Sequence, residues 1–380
     1  MALWITGGEA LIDGALTKAD VTLDDGFIAA LDGGPAARGF DATGLLMLPG
    51  IVDIHGDAFE RQFQPRAGVD FPADLALAET ERQLLANGIT TAFHGVTLSW
   101  EPGLRGLDAW RALLDGLDAR PWSCDMRVHL RWEAYNLDAL DTALADIAAG
   151  RVHLLAFNDH TPAILSKLDN PITAAKYANR AGLEIAAFQA LARRIEARAA
   201  HVPEAQRRIA TAAAKAGLPM ASHDDDTDAA RDHFRSLGAC ICEFPVNRAV
   251  GEAARAAGDA VVMGSPNVVR GGSHLGWASA AELAEAGTCT VLSSDYYYPC
   301  LLRAAFVLAE RGVFSLAQAW ALVSTNPAAA AGLGDRGVIA AGRRADLVLV
   351  DRQAMTPVAT IAGGRIVYFG PGAAERLGGA

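Results

Sequence analysis

The sequence predicts an α/β fold: a (β/α)8 TIM-like barrel carrying a small β-sandwich assembled from both chain ends. Three observations predict it. Eight short apolar runs alternate with Ala- and Leu-rich helical stretches through the middle of the chain. Near-continuous apolar strands followed by helices are the pattern of parallel strands buried on both faces. Side chains able to bind metal fall at the ends of those runs, where barrels of this kind carry their chemistry. Finally, the two termini share a texture of short strands broken by Gly and Asp.

The first 48 residues read as strands ALWIT, EALIDG, DVTLDD and GFIAALDG, and the texture returns in GVIAAGRRADLVLVD and ATIAGGRIVYFG. Residues 1–48 and 335–380 are therefore expected to form one small β-sandwich domain, with two unrelated caps as the alternative. Residues 49–334 are expected to form the barrel. Its strands are predicted at GIVDIHGD, ITTAFHGV, MRVHLRWE, VHLLAFND, LPMASHD, CICEFPV, AVVMGSP and TVLSSD. An open doubly wound sheet is the competing topology, but no Gly-rich dinucleotide turn follows the first strand. One interval breaks the alternation: residues 163–217 contain helix-like segments and no convincing strand. Pro171 suits a helix start and Pro203 interrupts the pattern. The interval is expected to be a helical excursion on the catalytic face, either a lid or a plain insertion.

Composition narrows the function. The 380 residues are 51% hydrophobic and 20% charged, with a net charge of −11. That argues against a nucleic-acid or anionic-membrane partner and for a small-molecule substrate, and it leaves a homo-oligomer open. Local arginines suffice for an anionic substrate. The five cysteines are odd in number and scattered, with Cys240 and Cys242 on one face of a strand and no CxxC pair. They read as reduced, mostly buried thiols. The N-terminal stretch has neither a basic nor an apolar leader segment, and no apolar run reaches the length of a membrane span, so a cytoplasmic protein is expected.

The chemistry centres on PGIVDIHGD. In an extended strand, residues two apart share a face, so His55 and Asp57 project together and can hold a metal from two directions. An isolated His-x-Asp is more often an ordinary surface pair. His160 in DHTP and His223 in HDDD repeat the arrangement, each closing an apolar run beside an acid, and Asp295 ends the last run. Glu133 has two readings: a carboxylate shared between two cations, or an ion pair with Arg131 on the same strand face. A carboxylated lysine is the other chemical solution for such a bridge, but none of Lys18, Lys167, Lys176 and Lys215 closes a strand. Asp295 can both bind metal and take a proton from activated water. The loop residues Arg270, Gly271, Gly272, Ser273 and His274 suit a phosphate or oxyanion. Arg61 and Arg66 would add charge, Arg66 alternatively pinning its loop. His94, closing the second run, is expected to face the substrate. His129 points either into the barrel mouth or below it. Asp224 reads as a partner of His223; most acids of HDDDTD serve the N-terminus of the helix that follows.

PGIVDIHGD, the strand-end ligands, the terminal SSD and GVIAAGRRADLVLVD resemble the amidohydrolase superfamily. HGDAFERQFQPRAGVDFP, FNDHTP, ASHDDDT, VVMGSPNVVRGGSH and LSSDY resemble one branch of it, the α-D-ribose 1-methylphosphonate 5-triphosphate diphosphatases of the carbon–phosphorus lyase pathway, over residues 43 to 350. The resemblance implies His55, Asp57, Glu133, His160, His223 and Asp295 as metal ligands, with one or two divalent ions. Zn2+ is expected, Mn2+ or Fe2+ competing for the hard oxygens of Asp57 and Glu133. It also implies attack on a phosphoanhydride with release of pyrophosphate. The sequence departs from the branch at Ala58, where an asparagine is usual, at Leu275-Gly276-Trp277, and at the aromatic run Tyr296-Tyr297-Tyr298-Pro299, while His94 and Trp100 add further ring surface. Those changes add apolar surface and keep a second chemistry open: C–N hydrolysis (cyclic amide opening or deamination) of a less charged molecule. A barrel that only binds a ligand is the non-enzyme alternative.

Overall fold

The structure is a computed structural model that describes residues 2–34, 38–66, 68–272 and 278–378. Eight parallel strands follow one another in chain order: Ile51–Gly56, Ile89–Leu98, Asp125–Glu133, Leu154–Asn158, Met220–His223, Ile241–Glu243, Ala260–Gly264 and Val291–Ser293. Asp295 bridges the last to the first. Its N–H donates to the His55 carbonyl at 3.0 Å, and the Asp57 N–H donates to the Asp295 carbonyl at 2.8 Å. The predicted barrel is there, with each of its eight strands at the run that predicted it.

Alternation along the strands explains both the interior and the mouth. Val52, Ile54, Phe93, Leu154, Ala156, Ala221, Ile241, Val262 and Val291 pack together, drawn from seven of the eight strands. Ala221 and Ile241 lie two residues before His223 and Glu243, so the inward face that fills the barrel also carries the polar groups at its C-terminal end. Ala328, beside the helix end at Ala330, packs on the same cluster.

The chain ends build two further sheets. The strand Leu46–Pro49 pairs parallel with Glu9–Ile12 and antiparallel with Leu347–Asp351, joining N- and C-terminal segments in a six-stranded sheet. A five-stranded sheet holds Leu3–Thr6, Val21–Asp24, Phe27–Leu31, Arg38–Asp41 and Leu377–Gly378. Leu347 and Leu349 enter the core between the sheets, whereas Val348 and Val350 enter a core shared with the barrel's helices. Such a strand is buried on both faces because each face has its own layer to cover it.

Between Asn158 and Met220 the chain is helical: Thr161–Leu165, Pro171–Ala181, Ile185–Glu196 and Val202–Lys215. Asn170 caps the second, its side chain accepting from the N–H groups of Ile172 and Thr173, and Gly182 ends it at φ +65°. Ile164, Leu168, Ala178, Phe188, Ala192 and Ile195 form a small core with Trp100. The fourth helix behaves differently: Val202, Ala205, Ile209 and Ala213 pack with Ala143 and Ile147 in the barrel's outer ring. The excursion above the barrel thus consists of the first three helices. No helix among the described residues is long and apolar enough to cross a membrane. Cys124, Cys242, Cys289 and Cys300 are buried free thiols; Cys240 precedes its strand and is exposed, so it shares no strand face with Cys242.

Candidate metal centre and active site

At the C-terminal mouth of the barrel the imidazoles of His55, His129, His160 and His223 surround a set of carboxylates. Glu243, ending the sixth strand, is buried with Oε2 3.0 Å from His55 Nδ1, 3.3 Å from His223 Nδ1 and 3.8 Å from His129 Nε2. The approach to His55 lies off the hydrogen-bond direction: His55 Nδ1, His129 Nε2 and Glu243 Oε1 are buried without a hydrogen-bond partner among the described residues. Two orphaned ring nitrogens beside one buried carboxylate, itself with an unpartnered oxygen, are costly for a protein alone and suit a cation.

A second nest lies beside the first. Asp224 Oδ2 is 3.3 Å from His160 Nε2, and Asp224 Oδ1 is 3.6 Å from His223 Nε2. His55, His223 and Glu243 form one group with metal-binding separations, and His160, His223 and Asp224 another. The two share His223, which turns Nδ1 to the inner nest and Nε2 to the outer. Glu133 is held by His160, whose Nδ1 approaches Oε1 at 2.5 Å while its N–H donates to Oε2 at 3.2 Å. Arg131 does not take up the ion pair with Glu133 weighed from the sequence. Its guanidinium crosses to His223 Nε2 at 2.9 Å and to Asp57 Oδ2 at 3.7 Å.

Three of the seven non-glycine residues with positive φ among the described residues stand at this mouth. Asp224, Phe244 and Asp295 stand just past the ends of the fifth, sixth and eighth strands at φ +59°, +51° and +56°. Side chains rarely adopt that region, and such outliers gather at functional sites. Gly264 makes Asp295 possible: a Cβ there would stand 2.9 Å from Asp295 Oδ2. Beneath, the buried Asp53 accepts from the N–H groups of Ser294 at 3.0 Å and His55 at 3.3 Å, fixing the two strand ends to one carboxylate.

Burial sets the protonation states. It pushes Asp295 up to about 7, with the Asp57 carboxylate adding to the shift and Arg131 opposing it. Burial likewise raises Glu243 to about 7 and Asp57 to about 6. The imidazoles of His55 and His223 are held well below their ordinary value by burial and then by Arg131, which keeps them neutral. Neutral imidazole is the metal-binding form. Against burial, Glu133 and then Asp224 raise His160 to about 9.

The mouth opens into a cavity of about 570 Å³ lined by Asp57, Glu133, His160, His223 and Asp224 and roofed by the excursion through Ile164, Lys167, Tyr177 and Arg180. Three other groups singled out in the sequence lie elsewhere. The second strand continues to Leu98, so His94 is interior to it, with parity opposite to the inward Phe93 and Thr97. It packs on Phe59 at 5.1 Å between ring centres, and burial lowers it to about 4. It does not face the cavity. Arg270 is exposed, the last residue of the helix Ser265–Arg270, and donates to the Tyr296 hydroxyl at 3.3 Å. Gly271 is that helix's left-handed terminator at φ +85°. A helix C-terminus presents carbonyls, which repel anions, so the phosphate reading of Arg270, Gly271 and Gly272 loses its physical basis. Ser273 and His274 lie outside the described residues. Arg61 lines a separate cavity of about 380 Å³ with Tyr296 and Tyr297, and Arg66 is exposed in a turn closed by the Val69 N–H.

Sequence reasoning missed Glu243 and left His129 open. The available signal was positional: Glu243 is the one acid in the sixth apolar run, CICEFPV, and it ends the observed strand as Glu133 ends the third.

Comparison with known proteins agrees with this geometry. Residues 167–367 match the model of the amidohydrolase family. The chain is 36% identical over 321 residues to the α-D-ribose 1-methylphosphonate 5-triphosphate diphosphatase of Escherichia coli K12, covering 82% of this chain and 85% of that protein. Among solved structures it is similar to 5-methylcytosine deaminase from Klebsiella pneumoniae (TM-score 0.62, 16% identity, 97% of each chain). It is also similar to β-aspartyl dipeptidase from Fervidobacterium islandicum AW-1 (TM-score 0.61, 15% identity, 97% of each chain). These two share the fold. The family and its enzymes set aside a barrel that only binds: the protein is a hydrolase of a family that generally uses one or two divalent metals. The chain belongs to the amidohydrolase family, in the branch of that diphosphatase.

Proposed function

We propose that the protein is a metal-dependent diphosphatase of phosphonate metabolism, acting on a ribosyl triphosphate and releasing pyrophosphate. The observation that carries this is the pair of ligand nests sharing His223 at the head of the cavity, in a chain 36% identical to a diphosphatase. His55, His223 and Glu243, with His129 beside them, would hold one ion, and His160, His223 and Asp224 a second. Asp57, Glu133 and Asp295 complete the shell. Zn2+ suits the imidazoles, and Mn2+ or Fe2+ the oxygens. Such an ion lowers the pKa of water and polarises a phosphoryl oxygen.

The chain's own residues supply the rest. An Asp295 carboxylate oxygen accepts the proton of the attacking water. A filled outer nest would take His223 Nε2 from Arg131, leaving the guanidinium beside Asp57 to place positive charge where a phosphoryl group gathers negative charge. Ile164 and Val246 narrow the cavity and displace water from it. The cavity wall carries six Asp and Glu against four Arg and Lys and the protonated His160, a balance of −1. A divalent ion makes that balance positive, so a polyanion is drawn to a loaded site.

The same acidic wall favours a second reading, hydrolysis of a C–N bond in a less charged molecule. Incubating the metal-loaded enzyme with ribosyl and nucleoside triphosphates, beside cyclic amides and aminated rings, separates the two. Pyrophosphate in the first series is the expected product; ammonia or ring-opened product, with no pyrophosphate, replaces the diphosphatase reading.

A further inference from the structure

The cavity's outer wall comes from the excursion, and its cations differ in what they are free to do. Arg131 is engaged by His223 and Asp57. Arg105 pairs with Glu60 at 3.3 Å. Arg180 makes a forked contact with the buried Glu101, Nε to Oε2 at 2.9 Å, and lies 5.1 Å from the Tyr177 ring centre. Lys167 lines the same cavity, and its ammonium has no acidic partner among the described residues. It is one of four lysines in a chain whose other cations are arginines. Lys167 is exposed on the same cavity that His160, His223 and Asp224 of the outer nest line, and no acid holds its ammonium there among the described residues. It can receive an anionic group carried beyond the bond being cleaved.

We propose that Lys167 is a specificity-determining residue that binds the terminal phosphate of the triphosphate, the distal half of the leaving pyrophosphate. This rests on the phosphoanhydride reading above. The segment that carries Lys167 is anchored on both sides of it in sequence. Trp100 Nε1 donates to Thr161 Oγ1 at 2.9 Å, and the Trp100 ring packs on Phe188 at 5.7 Å, so the excursion is docked on the loop after the second strand. The Glu101–Arg180 pair fixes the second helix to the same loop. Lys167 lies between these anchors in sequence, on the turn between Leu165 and Pro171. A lysine suits this position because its flexible stem and three donors follow a terminal phosphate as it leaves.

The test compares Lys167→Met with Lys176→Met in the metal-loaded full chain. Lys176 is an exposed cation on the helix Pro171–Ala181 and does not line the cavity. Both variants remove one charge from the excursion, so only a local contact distinguishes them. Lys167→Met is expected to raise KM for a ribosyl triphosphate about tenfold, the low end for a charge-assisted hydrogen bond. Its kcat should stay within about twofold of wild type, since binding common to ground and transition states moves KM alone. Lys176→Met should leave both unchanged, and Lys167→Arg should recover most of the loss. Added salt should narrow the gap between Lys167→Met and wild type. Inorganic pyrophosphate, titrated calorimetrically, should bind Lys167→Met more weakly than wild type by a similar factor. If wild type releases pyrophosphate and Lys167→Met has an unchanged KM, this inference fails while the proposed function stands. If both lysine variants raise KM equally, a general field replaces the contact. If wild type neither cleaves triphosphates nor binds pyrophosphate, the proposed function fails and this inference with it.

Discussion

His223 faces two candidate cation nests with one ring nitrogen each, and a neutral imidazole has a single free lone pair. The first ion is therefore expected to bind far more tightly than the second, which needs the ring to release its remaining proton and Arg131 to leave Nε2. Glu243 is the buried anion of the inner nest, so Glu243→Gln should strip the tightly held ion while leaving the fold intact. Elemental analysis beside circular dichroism checks both halves, and a variant with full metal content would place Glu243 outside the shell. Asp295 has a different task. Asp295→Asn keeps its shape and removes its capacity to take a proton, so turnover should fall at least about a hundredfold, the low end for general acid–base catalysis. Near-normal kcat in that variant would remove Asp295 from the reaction. At this scale the sequence revealed those ligands that close an apolar run beside a second acid, as His55, His160 and His223 do. Glu243 stands alone at its strand end, between a cysteine and a phenylalanine, with only its position in the sixth run to mark it and no second acid beside it.

Elements place these residues. The barrel strands were legible because a parallel strand covered on both faces leaves an almost unbroken apolar run, and the turn residues around it fix its length within a few positions. What the runs did not reveal is where each strand stops. Reading the second strand as ending near Val96 put His94 at the mouth, but pairing with the third strand carries it to Leu98 and turns His94 outward. Arg270 illustrates the same limit: RGG reads as a phosphate loop or as a helix terminator, and the helix is visible only once the chain is folded. The excursion was legible as a missing strand, while its attachment rests on contacts far apart in sequence, such as Glu101 with Arg180. Removing the arginine leaves Glu101 buried and unpaired. Arg180→Met is expected to loosen the excursion by about 1–3 kcal/mol, the usual cost of an unsatisfied buried polar group. Amide exchange should quicken in residues 161–196 and stay unchanged in the barrel strands. Unaltered exchange there would show that Trp100 and its neighbours hold the excursion without the ion pair.

At the scale of the whole molecule, the barrel and sandwich share the strand Leu347–Asp351, and an ion cluster joins the chain after the barrel to the start of the third barrel strand. Arg336 donates to Asp125 Oδ2 at 2.6 Å and to Thr91 Oγ1 at 2.8 Å, and Arg127 donates to the same carboxylate at 3.0 Å. Against burial, hydrogen bonds and charge from Arg127 and then Arg336 hold Asp125 below the usual carboxylate range. A depressed folded pKa stabilises above the unfolded value, roughly 3.9, and is lost as pH falls through the folded one. The stability gap between wild type and Asp125→Asn should accordingly be full at neutral pH and close as the pH drops below about 4. Urea unfolding at a series of pH values measures it; a gap independent of pH would mean that the carboxylate charge contributes nothing. His223, the ring shared by both nests, is the residue on which metal binding depends most. The most direct test is the divalent metal content per chain of wild type and of His223→Asn, after loading and exhaustive dialysis. At least about one ion per wild-type chain is expected, as the family's one or two metals require, and almost none in the variant. Equal metal in the two proteins, or none retained by wild type, would contradict a metal centre built on that ring.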